Sequence, residues 1–265
     1  MSLIKINNIT AGYGAESVVE NISLEINAGE IVGLLGLNGS GKSTFAKALC
    51  NIIPHTGEVD ICGNTAEKLK AAELARLMSY IPQKSGISLD ISVLDVVMMG
   101  FNPRLGIFDN PTRSMKEQAT KVLETIGLAD KQNSNYMLLS EGQKQLVILA
   151  RALVGDSNFM LMDEPESALD FNYRYKLMSI LRKWVASENR AGLVILHDVS
   201  LALNCCDRVV LLKDKKLVSE IDLKRDNLAK IEDPLSLIYG DVSLSKIKGK
   251  NGSEKFAMIY ESEGI

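Results

Sequence analysis

The chain has 265 residues, 46% hydrophobic and 24% charged, a globular composition that excludes a disordered, collagen-like or coiled-coil chain and suits one large domain with at most a smaller lobe. Thirty Lys and Arg against 33 Asp and Glu leave a net charge of −3, so nothing in the balance favours a nucleic acid held by phosphate neutralisation. Apolar runs such as Val96-Val97-Met98-Met99 stop far short of the ~20 residues that span a bilayer. The N-terminus lacks the basic, apolar and small-residue succession of a signal peptide, and Cys50, Cys62, Cys205 and Cys206 form neither a CxxC pair nor a disulfide framework, which points to a reducing cytoplasm.

In chain order, residues 3–9, 22–26 and 31–35 predict short strands, with Gly12, Gly14 and Gly29 supplying turns. Residues 42–50 become helical, and 64–77 are rich in helix formers. From about 84 to 140 helical stretches alternate with the breakers Pro103, Gly106 and Pro111. An inserted helical lobe is expected there, extended to about 153 by a helix over 140–153. A buried-type strand follows over 159–162, then a helix over 171–187 and strands over 193–196 and 209–212. This alternation predicts an α/β fold whose largely parallel sheet is covered on both faces. Residues 1–220 read as one domain and 221–265 as a short, more polar, weakly patterned appendage.

The strongest local signal is Gly36-Leu37-Asn38-Gly39-Ser40-Gly41-Lys42-Ser43-Thr44, which fits GxxxxGK[ST] directly after an apolar strand and before a helix. A glycine-rich turn is the plain alternative, but the flanking elements favour a phosphate cradle. Glycines let backbone N–H groups curl around phosphate oxygens, and the helix aims its positive end at the same charge. Lys42 is then expected to reach the β- and γ-phosphates and Ser43 to ligate Mg²⁺.

A second element, Phe159-Met160-Leu161-Met162-Asp163-Glu164-Pro165, is an apolar strand ending in two carboxylates. By itself it could be a strand and an acidic turn. Beside a phosphate cradle, Asp163 suits a magnesium site and Glu164 the polarisation of an attacking water.

With these residues in place the chain resembles the ATPase subunits of ABC transporters. Leu139-Ser140-Glu141-Gly142-Gln143 is similar to that family's LSGGQ signature and starts the helix 23 residues before Asp163. Ser140 and Gln143 also have the spacing of a helix capping box, which is compatible with binding an anion at the same helix start. Tyr13 matches the aromatic residue that stacks on adenine, Gln83 the Q-loop glutamine, Ser167-Ala168-Leu169-Asp170 the D-loop, and His197 the switch histidine. Three positions depart from the pattern: Glu141 for the first signature glycine, Glu166 for the usual Thr after Asp-Glu-Pro, and Leu37 for a frequent Pro.

The resemblance implies a P-loop NTPase fold with a mixed core sheet, an N-terminal antiparallel β-region and an inserted helical subdomain. It also implies a head-to-tail homodimer with two ATP molecules between the P-loop of one copy and Ser140, Gly142, Gln143 and Asp170 of the other. Glu164, His197 and Gln83 would serve catalysis, and Ser43, Gln83 and Asp163 the Mg²⁺. A membrane permease and, indirectly, a substrate-binding protein are the implied partners, at the cytoplasmic face of the membrane. The stretch Ile91-Ser92-Val93-Leu94-Asp95-Val96-Val97-Met98-Met99-Gly100-Phe101-Asn102-Pro103-Arg104-Leu105-Gly106 and the tail with Tyr239-Gly240-Asp241-Val242 resemble importer ATPases for iron-siderophore, haem and cobalamin chelates. The alternatives are a soluble ABC ATPase acting on ribosome or DNA, a transporter for another substrate, and a small-molecule P-loop kinase. Two finer expectations follow. The segment from Gln83 to about Phe108 is read as a permease dock from the apolar density of Val93, Val96, Val97, Met98 and Met99, with lobe core as the competing reading for these residues, and Glu141 is expected to point sideways or to solvent.

Overall fold

Alternating apolar residues bury Ile4, Ile6 and Ile9 of β1 (Ser2–Tyr13) against Ile22, Leu24 and Ile26 of the antiparallel β2 (Glu16–Asn27) in the computed structural model, which describes residues 2–84, 86–106, 108–167, 169–187, 189–250 and 252–261. Both strands run past the expected 3–9 and 22–26. β4 (His55–Ile61) adds to the other side of β1 and β5 (Asn64–Thr65) to β4, giving the order β2-β1-β4-β5. The helix expected over 64–77 is therefore only α2 (Ala71–Leu77). Local turn chemistry overrides propensity: Asp60 accepts from the Gly63 N–H at 2.9 Å and Cys62 and Gly63 adopt positive φ, so the chain doubles back as a hairpin.

The central sheet has the order β10-β9-β3-β8-β7-β6. β3 (Ile31–Leu35), β6 (Met78–Ile81), β7 (Phe159–Asp163), β8 (Ala191–Ile195) and β9 (Arg208–Lys213) are parallel, while β10 (Lys216–Asp222) is antiparallel to β9. The sheet is thus mixed, with an antiparallel edge and with β6, unseen in the sequence, at the opposite edge. One face packs on α1 (Lys42–Leu49) and the N-terminal sheet, and the other on helices.

The inserted lobe is built of α3 (Val93–Met98), α4 (Arg113–Ile126) and α5 (Glu141–Gly155), each started by a hydroxyl cap from Ser92, Thr112 and Ser140. Val93, Val96 and Val97 are fully buried in it and Met98 packs against the same core. The competing reading holds for these residues: the lobe helices use this apolar stripe internally, in a core continuous with the central sheet. α6 (Phe171–Val185) and α7 (Val199–Cys205) follow the strands that end at the site.

The described residues of the tail carry more regular structure than their weak pattern suggests. α8 (Leu228–Tyr239) buries Ile231, Leu235 and Ile238 in the core shared with the central sheet, each side chain contributing about 1.5–3 kcal/mol of burial. The hairpin β11 (Val242–Lys248) and β12 (Glu254–Tyr260) is tied to α7, where Asn204 bonds both the N–H and the C=O of Phe256 at 2.9 and 3.0 Å. Tyr239, at the end of α8, has its phenol oxygen facing the Gly36 N–H. The C-terminal segment therefore buttresses the first residue of the glycine loop.

Candidate active site

The glycine loop leaves β3 and enters α1 with Gly39 and Gly41 at φ +80 and +105°. Gly41 admits no side chain on two counts, because a Cβ there would also lie 2.6 Å from a Val19 methyl. No side chain caps α1, so its first N–H groups stay open to an anion, and the Ser40 hydroxyl is buried without a partner among the described residues. Lys42 is buried and its ammonium donates to the carbonyls of Gly36 (2.9 Å) and Leu37 (3.2 Å). Burial pulls its pKa down, against the opposing pull of Glu164 and Asp163. Asn38, Gly39, Gly41, Lys42, Ser43 and Thr44 line a cavity of about 300 Å³ together with Tyr13 and Glu164. Tyr13 ends β1 opposite Glu16 and stands more than half exposed at that rim.

The parallel register carries two carboxylates to this cradle. β7 pairs Asp163 with Ile195 of β8, so the strand ends, and the residues just beyond them, lie side by side. Asp163 is buried and accepts from the Ser43 hydroxyl at 3.1 Å and from Tyr80 at 3.3 Å. Burial raises its pKa, with these two donors opposing. Glu164 adopts φ +50°, a left-handed conformation that costs a non-glycine residue on the order of 1–3 kcal/mol and that lifts its carboxylate off the strand line. One of its oxygens accepts from Gln83 Nε2 at 2.6 Å and the other lies 2.6 Å from His197 Nε2. Residues from three separate loops thereby meet on one carboxylate. Such an arrangement holds a base and its hydrogen-bonding partners beside a phosphate cradle, the geometry that water activation requires.

Not all expected residues gather here. Ser140 and Gln143 form the capping box of α5, with bonds of 3.3 and 3.1 Å, and Gly142 lies flat on the Tyr173 ring, where a Cβ would come within 3.0 Å. Asp170 caps α6 by accepting from Tyr173 N at 3.0 Å. None of the four lines the Lys42 cavity. Glu141 points outward, as expected, pairing with Lys144 at 2.8 Å. Ala168 of the Ser167–Asp170 segment lies outside the described residues. Sequence reasoning missed Tyr80, whose approach to Asp163 depends on the β6–β7 register (Ile81 opposite Met162), and that register has no local signal.

Residues 19–167 match the family model described as ABC transporter. This chain belongs to the ABC transporter family. The hemin import ATP-binding protein HmuV of Vibrio parahaemolyticus is 37% identical over 218 residues, covering 80% of this chain and 82% of that protein. A probable iron chelatin transport ATP-binding protein of Helicobacter pylori is 32% identical over 249 residues, covering 91% and 98%. In fold, the chain is similar to a solved structure described as an inward-facing conformation of a metal-chelate type ABC transporter, with TM-score 0.82, 23% identity and coverage of 98% and 99%. The chain is accordingly the ATP-binding, ATP-hydrolysing cassette of an ABC transporter. No helix among the described residues is long and apolar enough to cross a membrane.

Proposed function

We propose that this cassette powers the import of a metal chelate, such as iron-siderophore, haem or cobalamin, through a separate permease at the cytoplasmic face of the membrane. Glu164, gripped by Gln83 and His197 at the rim of the Lys42 cavity, is the observation that carries the ATPase half of this reading. The hemin and iron chelatin relatives support the cargo. Residues 1–220 serve as the ATP-binding domain, with the helical subdomain over about 84–153, and 221–265 as an appendage fastened to the same core.

In this reading Tyr13 stacks on the adenine, and Asn38, Gly39, Ser40, Gly41, Lys42, Ser43 and Thr44 wrap the phosphates. The orphan Ser40 hydroxyl and the uncapped α1 fit an anionic ligand. Ser43 and Asp163, 3.1 Å apart, are hard oxygen donors of the kind Mg²⁺ takes, and Gln83, which donates to the adjacent Glu164, would add its amide oxygen. Bound Mg²⁺ would offset the charge on the phosphate oxygens. Glu164 orients and deprotonates the attacking water, His197 steadies that carboxylate and contacts the γ-phosphate, and Gln83 relays the state of the site to the helical lobe.

Ser140, Gly142, Gln143 and Asp170 stand apart from their own chain's cavity, which supports a head-to-tail homodimer in which they close over the partner's ATP. The test is reconstitution with a permease that co-purifies with this chain. ATP-driven uptake of a ferric chelate, haem or cobalamin into vesicles is expected, and uptake of none of them would overturn the cargo. Stable association with ribosomes or DNA in place of a permease would favour the soluble alternative.

A further inference from the structure

Glu166 stands two residues beyond Glu164, across Pro165, and its side chain takes the opposite direction. Glu164 reaches outward to the cavity, whereas Glu166 is 2% exposed beneath the loop that leaves β8. Its Oε1 accepts from the backbone N–H of His197 at 2.7 Å, and the Asp198 N–H faces the same carboxylate. Its Oε2 has no partner among the described residues. A buried carboxylate with one idle oxygen is costly, and burial indeed pushes its pKa up. A shorter Thr at this place, the residue the resembled family more often carries, would not reach so far.

The consequence lies in what His197 touches. Its imidazole is 2.6 Å from Glu164 while its main chain is held by Glu166. One Glu-Pro-Glu turn therefore grips His197 at both ends, the ring by the first carboxylate and the backbone by the second. Around it the loop after β8 is anchored on either side of His197, where Leu196 N donates to Leu34 O, Leu201 N to Asp198 and the Arg174 guanidinium to Asp198 at 3.3 Å, while Glu166 holds the His197 N–H itself. We propose that Glu166 is a positioning residue for ATP hydrolysis, fixing the His197 backbone so that the imidazole meets Glu164. This rests on the roles given above to Glu164 and His197. The adenine and most phosphate contacts belong to Tyr13 and the glycine loop, and His197 adds one contact at the γ-phosphate, so the effect falls on turnover more than on ATP affinity.

The test is steady-state ATPase of the full chain carrying Glu166→Met, which keeps length and burial but removes the acceptor, beside Glu166→Gln, which keeps an oxygen acceptor, and His197→Ala. Glu166→Met is expected to lose at least tenfold in kcat with KM for ATP within twofold, and Glu166→Gln to recover to within threefold of the parent. Adding Glu166→Met to His197→Ala should cost nothing further. Where Glu166→Met does not fold, Glu166→Thr replaces it with the same expectation, and the His197 amide of the parent should be protected from hydrogen exchange. The clamp is overturned by a folded Met or Thr variant within twofold of the parent, by a Gln variant as slow as Met, or by an unprotected His197 amide. If His197→Ala itself left kcat unchanged, the reading of the site would fall and the clamp with it; a slow His197→Ala beside a normal Glu166→Met would remove the clamp alone.

Discussion

His197 Nε2 and Glu164 Oε1 lie 2.6 Å apart at the ends of two adjacent parallel strands. The pair exists because Glu164 takes a left-handed backbone conformation that turns its carboxylate toward the neighbouring strand's loop. A base held this way between His197 and Gln83 separates chemistry from binding, since neither contact involves the glycine loop.

Glu164→Gln should therefore bind ATP with near-parental affinity while losing at least a hundredfold in turnover, about 2.7 kcal/mol of barrier. ATP-dependent dimer should accumulate in size-exclusion chromatography with Mg-ATP. Lys42→Ala behaves oppositely: it removes the buried cation from the cradle and should abolish binding and hydrolysis together, read by fluorescent-nucleotide titration.

Gly41→Ala meets both a positive φ and a Val19 methyl 2.6 Å from the new Cβ. Strain of on the order of 1–3 kcal/mol is expected. It would appear as a lower melting temperature and as weakened ATP binding, because relief requires the glycine loop to move away from β2. A parental melting temperature would show that Val19 yields freely.

Tyr239→Phe tests the buttress between the tail and the glycine loop. The phenol is half-buried, with its pKa pushed up to about 12 by desolvation, and its oxygen faces the Gly36 N–H. Removing that oxygen should cost about 0.5–1.5 kcal/mol and raise KM for ATP more than it lowers kcat. Scanning calorimetry and steady-state kinetics separate the two effects; a change in kcat alone would argue against a contact with the loop.

Glu141→Gly restores the usual signature residue. The carboxylate is exposed and, among the described residues, paired only with Lys144, so its loss, with the added backbone freedom of glycine, should lower stability by about 1 kcal/mol. Turnover should stay within a few-fold. A hundredfold rise would instead identify Glu141 as a brake on dimer closure.

What the sequence determined by itself was whatever is contiguous. The glycine loop between strand and helix, the apolar strand ending in Asp163 and Glu164, and the Ser140–Gln143 cap each combine a motif with its own flanking periodicity, and all three stand where they were expected. Only the tertiary structure decided the partners. An apolar helical stripe says that Val93, Val96 and Val97 are covered but not by what, and three-helix packing made them core. Helix propensity over 64–77 could not foresee that Asp60 and Gly63 would close a turn first. Tyr80 beside Asp163, Glu166 beneath His197 and Tyr239 against Gly36 depend on strand register and on chain segments remote in sequence. No local pattern encodes such contacts, because they arise only when the strands lie side by side and the tail folds back on the core.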